Sequence, residues 1–254
     1  MEIVLQGGLY PNTFKTAEYY LQLDFVTRII ISTWENETIN KISNDKIILI
    51  KSRKPENGTG NMNLQIVSSY NGLLEVKEER SVKMRTDQMI YHESMYKIKN
   101  YVDTHLDIDV RYANNEGPRG PIFILGMNKI YPFHPQDHIF WGYTSDLITL
   151  FNIPLMTPKN RRVGNDFKTE LRCPIYLGAN YFAKFEPKIF KFIDNYKEYL
   201  VDDAPKKEEA KKISEQLRDK IFKVLPRIKM FWEKYNWNYY PYDWYGSSGE
   251  YYAD

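Results

Sequence analysis

The sequence predicts an α/β fold: a mostly parallel sheet flanked by helices, with a C-terminal helical extension. Three observations predict it. Short β-branched runs recur along the first hundred residues, and three of them are apolar on both faces, as in strands covered from both sides. Helical patterns fall between the runs, the alternation of a parallel sheet. The last seventy residues instead carry helical periodicity, with ten Lys/Arg against five Asp/Glu over 206–234 and an aromatic tail.

The elements follow in order. Ile3-Val4-Leu5-Gln6 reads as a buried strand ending in Gly7-Gly8. Thr13 opens a helix over 14–23. Arg28 to Thr33 and Lys46 to Ile50 are the next strands, joined by a connector or short helix over 35–42. A loop with Pro55, Gly58 and Gly60 leads to a helix over about 61–79. Residues 81–85 form a fourth strand and 88–101 a helix. The middle is less regular: a turn cluster at 114–120, a strand at 122–127, a polar loop at 131–138 and a short helix at 146–151. Residues 152–180 read as loops and short strands. A helix from Glu186 to about Leu200 is broken at Asp203-Ala204-Pro205, and an amphipathic helix over 206–225 stops or kinks at Pro226. The division expected is a catalytic domain over 1–183 and a helical extension with an aromatic tail over 184–254.

Composition narrows the function. A chain of 254 residues buries enough surface to fold without disulfide or structural metal. With 35 Lys/Arg against 33 Asp/Glu the formal charge is +2, which disfavours nucleic acid as a partner. The single cysteine, Cys173, excludes an intrachain disulfide and a four-cysteine metal site, and suits a reducing compartment. It is followed by Pro174 with no adjacent base, so a buried structural thiol is the reading for it. The opening residues lack the basic region of a secretory signal, and no 18-residue apolar window is present. Aromatic residues reach 15%, with 21 Tyr, a bias found at binding surfaces and equally in AT-rich coding sequence.

In a parallel sheet, ligands bind beyond the C-terminal strand ends. Those ends read Gln6-Gly7-Gly8, Ser32-Thr33-Trp34-Glu35, Lys51-Ser52-Arg53 and Arg85-Thr86-Asp87. Asn61, Asn63 and Gln65 open a helix whose free N–H groups suit phosphate or sugar hydroxyls; plain capping by Asn61 is the alternative. Ionisable groups gather again in Pro132-Phe133-His134-Pro135-Gln136-Asp137-His138.

These blocks carry a resemblance. Val4-Leu5-Gln6-Gly7-Gly8 with Thr13, Ile29 to Glu35, Asn61 to Ser69 with Gly72-Leu73, Val82 to Asp87, and Pro132 to Gly142 fall in order over residues 3–142. Together they resemble the WavE-type lipopolysaccharide synthesis family. Gly8 stands where Pro is more usual and His138 where Trp is; residues 150–254 match no block. The resemblance implies a GT-A-like, nucleotide-sugar-dependent glycosyltransferase building a cell-surface glycan. Its partners would be a nucleotide-sugar donor and a glycan or lipid-linked glycan acceptor. A cytoplasmic location follows, with peripheral membrane contact through the C-terminal segment as an option.

The chemistry then assigns roles. A leaving diphosphate needs positive charge from Mn²⁺ or Mg²⁺ or from Lys/Arg. The usual D-x-D position reads Arg85-Thr86-Asp87, so Asp87 is the metal ligand or donor-sugar contact and Arg85 a phosphate or sugar contact. A buried Arg–Asp pair organising the strand end is the plainer alternative. Asp137 is the candidate general base, with His134 and His138 as alternatives or metal ligands; an N-cap role for Asp137 stands beside this. Gln6, Gly7, Thr13, Ser32, Thr33, Trp34, Glu35, Asn61, Asn63, Gln65, Arg85 and Thr86 are expected at the donor. Trp34 could instead fill core, Thr13 only cap its helix and Glu35 only pair locally. Glu170 is a further acceptor-side carboxylate. Arg227, Lys229, Phe231, Trp232 and Lys234 have the basic-aromatic makeup of an interfacial segment, or of a helix packed on the catalytic domain. Two other functions compete: an inactive glycan- or nucleotide-sugar-binding protein, which Arg85 keeps open, and a nucleotidyltransferase, which would want a Lys/Arg-bearing glycine loop directly after the first strand where Gln6-Gly7-Gly8-Leu9-Tyr10 has no basic residue.

Overall fold

The computed structural model describes residues 1–39, 44–106, 117–127, 132–157, 173–194 and 204–239. Strands β1 (Glu2–Gln6), β2 (Arg28–Trp34), β3 (Ile47–Ser52) and β4 (Arg80–Arg85) pair in parallel in the order β3-β2-β1-β4. Between them lie α1 (Thr13–Tyr20) and α2 (Met62–Leu74). The sheet continues through β7 (Phe140–Tyr143), which is antiparallel to β4 on one side and to β6 (Ile122–Ile124) on the other, and ends at β8 (Phe222–Val224), parallel to β6. The mostly parallel α/β class is therefore as expected. Alternation along the strands feeds two cores. Val4 and Ile30 face α2, α4 (Thr144–Phe151), α5 (Cys173–Phe182) and α7 (Ala204–Ile221). Ile3, Leu5, Ile29 and Ile31 face α1 and α3 (His92–His105).

Four expectations need correction. Gln88–Ile90 is a strand, β5, and only from His92 does α3 begin. It pairs with β9 (Met230–Trp232), which also pairs with β10 (Trp237–Tyr239), in a second sheet ordered β10-β9-β5. A partner some 140 residues away overrides local helical pattern there. Within 152–180, Cys173–Phe182 is helical: Pro174 sits in the first turn, where a missing N–H costs nothing. The helix expected over 206–225 is present as α7 but ends at Ile221, and the chain runs straight into β8 before Pro226. The expected division after residue 183 is crossed twice, because β8 lies in the main sheet and β9 pairs with β5. Of the helix expected over 186–200, a 3₁₀ turn (Pro187–Ile189) and α6 (Phe190–Asp194) fall within the described residues.

Candidate functional site

A cleft of about 480 Å³ opens at the C-terminal ends of the four parallel strands. Its floor is the end of β1. Gly7 has a positive φ of 123° and a Cβ there would stand 3.2 Å from the Thr86 hydroxyl, so the turn out of β1 favours glycine. Thr86 donates to the Gly8 carbonyl at 2.6 Å and Thr13 to the Thr86 carbonyl at 3.3 Å, which ties the β1 and β4 ends together. Trp34 and Glu37 come from the β2 end, Lys54 from beyond β3, and Asn61 and Gln65 from the start of α2.

The β4 end supplies Arg85 and Asp87. Arg85 grips both Asp87 oxygens, Nε to Oδ1 at 2.8 Å and Nη2 to Oδ2 at 2.7 Å. The indole Nε1 of Trp232 donates to Oδ2 at 2.9 Å, and the Arg85 guanidinium lies 5.4 Å from the Trp232 ring centre. Burial pushes the Asp87 carboxyl up, but the Arg85 hydrogen bonds and charge, helped by the Trp232 indole, outweigh it and hold it below the usual carboxylate range. The pair also keeps Arg85 permanently charged.

Opposite stands the loop 132–138. Phe133 is left-handed (φ 57°), and its N–H donates to Ser214 Oγ of α7 at 2.7 Å. A Cβ on Gly178 of α5 would lie 2.1 Å from the Phe133 carbonyl oxygen, so α5 can press on this loop only through a glycine. The loop's far end carries Asp137 and His138 into the cleft. The Asp137 backbone carbonyl accepts from Lys83 Nζ at 2.9 Å and from Gln65 Nε2 at 3.2 Å, while its carboxylate takes no hydrogen bond from the described residues. Burial raises that carboxyl, but the positive charge of Lys83 and Arg85, with the His138 ring beside it, holds it below the usual carboxylate range. Lys83 is fully buried on β4 beneath Phe140 and Phe151, and burial pulls its pKa down to about 7 against the attraction of Asp137. Burial likewise brings His138 to about 4. The neutral ring accepts from Gln88 Nε2 at 2.6 Å and packs edge-on against Trp232.

Of the residues expected from sequence, the cleft brings together Gln6, Gly7, Trp34, Asn61, Gln65, Arg85, Thr86, Asp87 and Asp137. Others lie elsewhere. Thr13 is buried and cross-links Tyr10, whose N–H it accepts, to Thr86. Ser32 and Thr33 are buried inside β2. Glu35 is exposed, and Glu37 supplies the carboxylate at the β2 end, accepting from Leu9 N–H at 3.3 Å. Asn63 spends its amide on the Met156 backbone, and Asn61 makes no side-chain cap. His134 is buried and is not among the cleft's lining residues. Glu170 lies outside the described residues, as does the side chain of Cys173. Sequence reasoning missed Lys83 and Gln88, and of its two readings for the segment around Trp232 the structure has the one packed on the catalytic domain, as a strand and not a helix. That tryptophan is 5% exposed and bonded to Asp87, so it cannot serve a membrane surface. A signal for Lys83 existed: a charged residue between Val82 and Met84 at the buried centre of a strand.

The expected divalent cation fits this site poorly. Asp87 already accepts three hydrogen bonds, and its neighbour at the first D-x-D position is a cation. Among the described residues no three His, Cys, Asp or Glu side chains group as metal ligands. No described helix is long and apolar enough to cross a membrane.

Comparison with known families matches residues 25–172 to the family described as WavE lipopolysaccharide synthesis. Comparison with curated proteins finds no match. Among solved structures, HddC from Yersinia pseudotuberculosis aligns at 15% identity, covering 58% of this chain and 78% of its own, with a TM-score of 0.35. S. aureus TarS 1-349 aligns at 12% identity over 86% of this chain and 72% of its own, TM-score 0.39. The inositol-1-phosphate CTP transferase from T. maritima aligns at 9% identity over 87% and 96%, TM-score 0.35.

Proposed function

The chain belongs to the WavE lipopolysaccharide synthesis family, and we propose that it is a glycosyltransferase moving a sugar from a nucleotide-sugar to a hydroxyl of a cell-surface glycan. The observation that carries this reading is the pairing, across one cleft, of a hydrogen-bond-free carboxylate on Asp137 with the Arg85 guanidinium at the β4 end. Such a cleft offers a base to an acceptor and a cation to a leaving diphosphate.

Each part has a task in this reading. The nucleoside lies over Gly7 at the β1 end, with the Glu37 carboxylate beside Gly8 and the buried Trp34 packed beneath as part of the core. The diphosphate lies toward Arg85. Asp137 takes the proton from the acceptor hydroxyl as its oxygen bonds to the sugar's anomeric carbon. The bond from that carbon to the diphosphate breaks, and its electron pair leaves with the nucleoside diphosphate. Lys83 and Gln65, by holding the Asp137 carbonyl, fix the loop so that the carboxylate stays aimed into the cleft. The acceptor is a glycan or lipid-linked glycan, and the reaction is cytoplasmic.

The full engagement of Asp87 favours a second reading, a nucleotide-sugar-binding protein without turnover. One series separates the two. The chain is melted in the presence of UDP, GDP, CMP and dTDP and their common sugars; binding to the native state raises the melting temperature by mass action. Glycan acceptors are then added and nucleoside diphosphate release is followed. A shift with one nucleotide family and release that needs acceptor are expected. A shift without release under any acceptor leaves the binding protein, and no shift with any nucleotide overturns both readings.

A further inference from the structure

The strongest departure from expectation in the cleft is that its best-placed carboxylate is not available to a metal. Asp87 Oδ1 accepts from Arg85 Nε, and Oδ2 accepts from both Arg85 Nη2 and the Trp232 indole. The Arg85 bonds span the turn that follows β4, while the third donor comes from distant β9, so tertiary structure completes an arrangement begun locally. β9 is itself fixed on this spot: the Glu233 N–H donates to the Asp87 carbonyl at 2.9 Å, and the Glu233 carboxylate accepts from Asn12 N–H and Nδ2 at 3.1 Å each. A cation entering at Asp87 would have to displace three charge-assisted hydrogen bonds, two of them from a guanidinium.

The same arrangement orients positive charge. With Nε and Nη2 spent on Asp87, Arg85 Nη1 makes no hydrogen bond to a described residue, and the guanidinium edge opens on the cleft. Lys54 stands at the β3 side of the same cleft, exposed and without an ion pair among the described residues. Lys234, two residues past Trp232, stands on its C-terminal side. Resting on the glycosyltransferase reading, we propose that the chain's own cations, Arg85 with Lys54 and Lys234, hold and neutralise the donor's diphosphate without a divalent metal, and that Asp87 and Trp232 are positioning residues for Arg85. The C-terminal segment is in this view part of the donor site, delivering one of its cations and the indole that keeps Asp87 turned to Arg85.

The test uses the full chain and the nucleoside diphosphate that raises its melting temperature most. Affinity is measured by calorimetry with excess Mn²⁺ and again with EDTA, and Mn²⁺ alone is titrated against the protein by electron paramagnetic resonance. Equal affinity in Mn²⁺ and EDTA, within about twofold, and no protein-bound Mn²⁺ signal are expected. Lys54→Ala and Lys234→Ala, both at the rim, should each weaken binding by up to about tenfold, the value of one charge-assisted contact, and the weakening should fade in high salt. Trp232→Phe keeps a ring but removes the indole donor; it should weaken nucleotide binding in EDTA and let Mn²⁺ restore part of it. Binding at least tenfold tighter in Mn²⁺ for the unaltered chain overturns this proposal and leaves the glycosyltransferase reading standing. No nucleotide bound under either condition overturns that reading and this proposal with it.

Discussion

The two halves of the cleft are built differently. The β3-β2-β1-β4 half comes from the first 87 residues, with helices between parallel strands, and contributes Gly7, Gly8, Thr86 and the start of α2 together with Glu37, Lys54 and the Arg85–Asp87 pair. The other half is assembled from remote pieces. Asp137 and His138 ride a loop pinned by α5 and α7, and Trp232 arrives from β9, 145 residues from the Asp87 it bonds. The first half, which local pattern nearly determines, carries the cations Arg85 and Lys54; the second carries the candidate base and the indole that holds Asp87 to Arg85. Reactive groups here depend on long-range contacts, so they should be the easier half to disable.

The largest effect should follow from Asp137→Asn. The change keeps size and the backbone carbonyl that Lys83 and Gln65 hold, and removes only the base. Turnover should fall by about 10²–10⁴, the usual worth of a positioned general base. Nucleotide affinity and melting temperature should stay near those of the unaltered chain, because Arg85, Lys54 and Lys234 and the backbone contacts of the loop are untouched. Full turnover in the variant would remove Asp137 from the mechanism and break the contrast.

Gly178→Ala asks whether the loop needs its support. The added carbon would meet backbone, the Phe133 carbonyl oxygen at 2.1 Å, so relief requires moving the loop or α5. A cost of about 3 kcal/mol is expected, at the upper end of overpacking. Turnover should drop with it while nucleotide binding survives. Unchanged turnover would mean that the loop tolerates displacement and that Asp137 need not be held where it is.

The same contrast explains what was legible. β1 to β4, their polar ends and α2 follow from apolar runs and breakers, whose signal is local. β5 was not legible, because its three residues are a strand only through β9. Trp232 reads from sequence as part of a basic-aromatic segment, and only the β5–β9 register turns it toward Asp87. Arg85 and Asp87 were legible as a pair, since two residues apart on a strand end they share a side; that their pairing saturates Asp87 depended on a third donor that no local pattern announces. α5 was missed because Pro174 suggests a breaker, although in a first turn it is harmless.

Lys83 lies on the boundary between the halves, and pH can sharpen its role. Its folded pKa of about 7 lies below the unfolded value near 10.4, so the unfolded chain binds more protons between those values. Stability contributed by this residue therefore rises as pH climbs from about 7 to 10, and below 7 the fold bears the full cost of a buried charge. Lys83→Met, of similar volume, should be more stable than the unaltered chain by about 2 kcal/mol at pH 6, and the advantage should shrink toward pH 9. Denaturant melts at the two pH values measure it. An advantage that does not change with pH would show that Lys83 is neutral or well solvated throughout.

The smallest effect, and the most telling for how the C-terminal segment relates to the rest, should come from Ser214→Ala. Ser214 lies on α7, which local pattern assigns to a separate extension, yet its hydroxyl accepts the buried Phe133 N–H at 2.7 Å. Removing it leaves that N–H without its partner at a residue already held in the left-handed region, at a cost of about 1 kcal/mol. For a chain of this length that is a fall of about 2–4 °C in melting temperature. The two-sided consequence is what matters: a hydroxyl on α7 should lower turnover slightly through the Asp137 loop while leaving nucleotide affinity alone. If both melting temperature and turnover stay unchanged, α7 does not brace the loop, and the C-terminal segment meets the site only through β9.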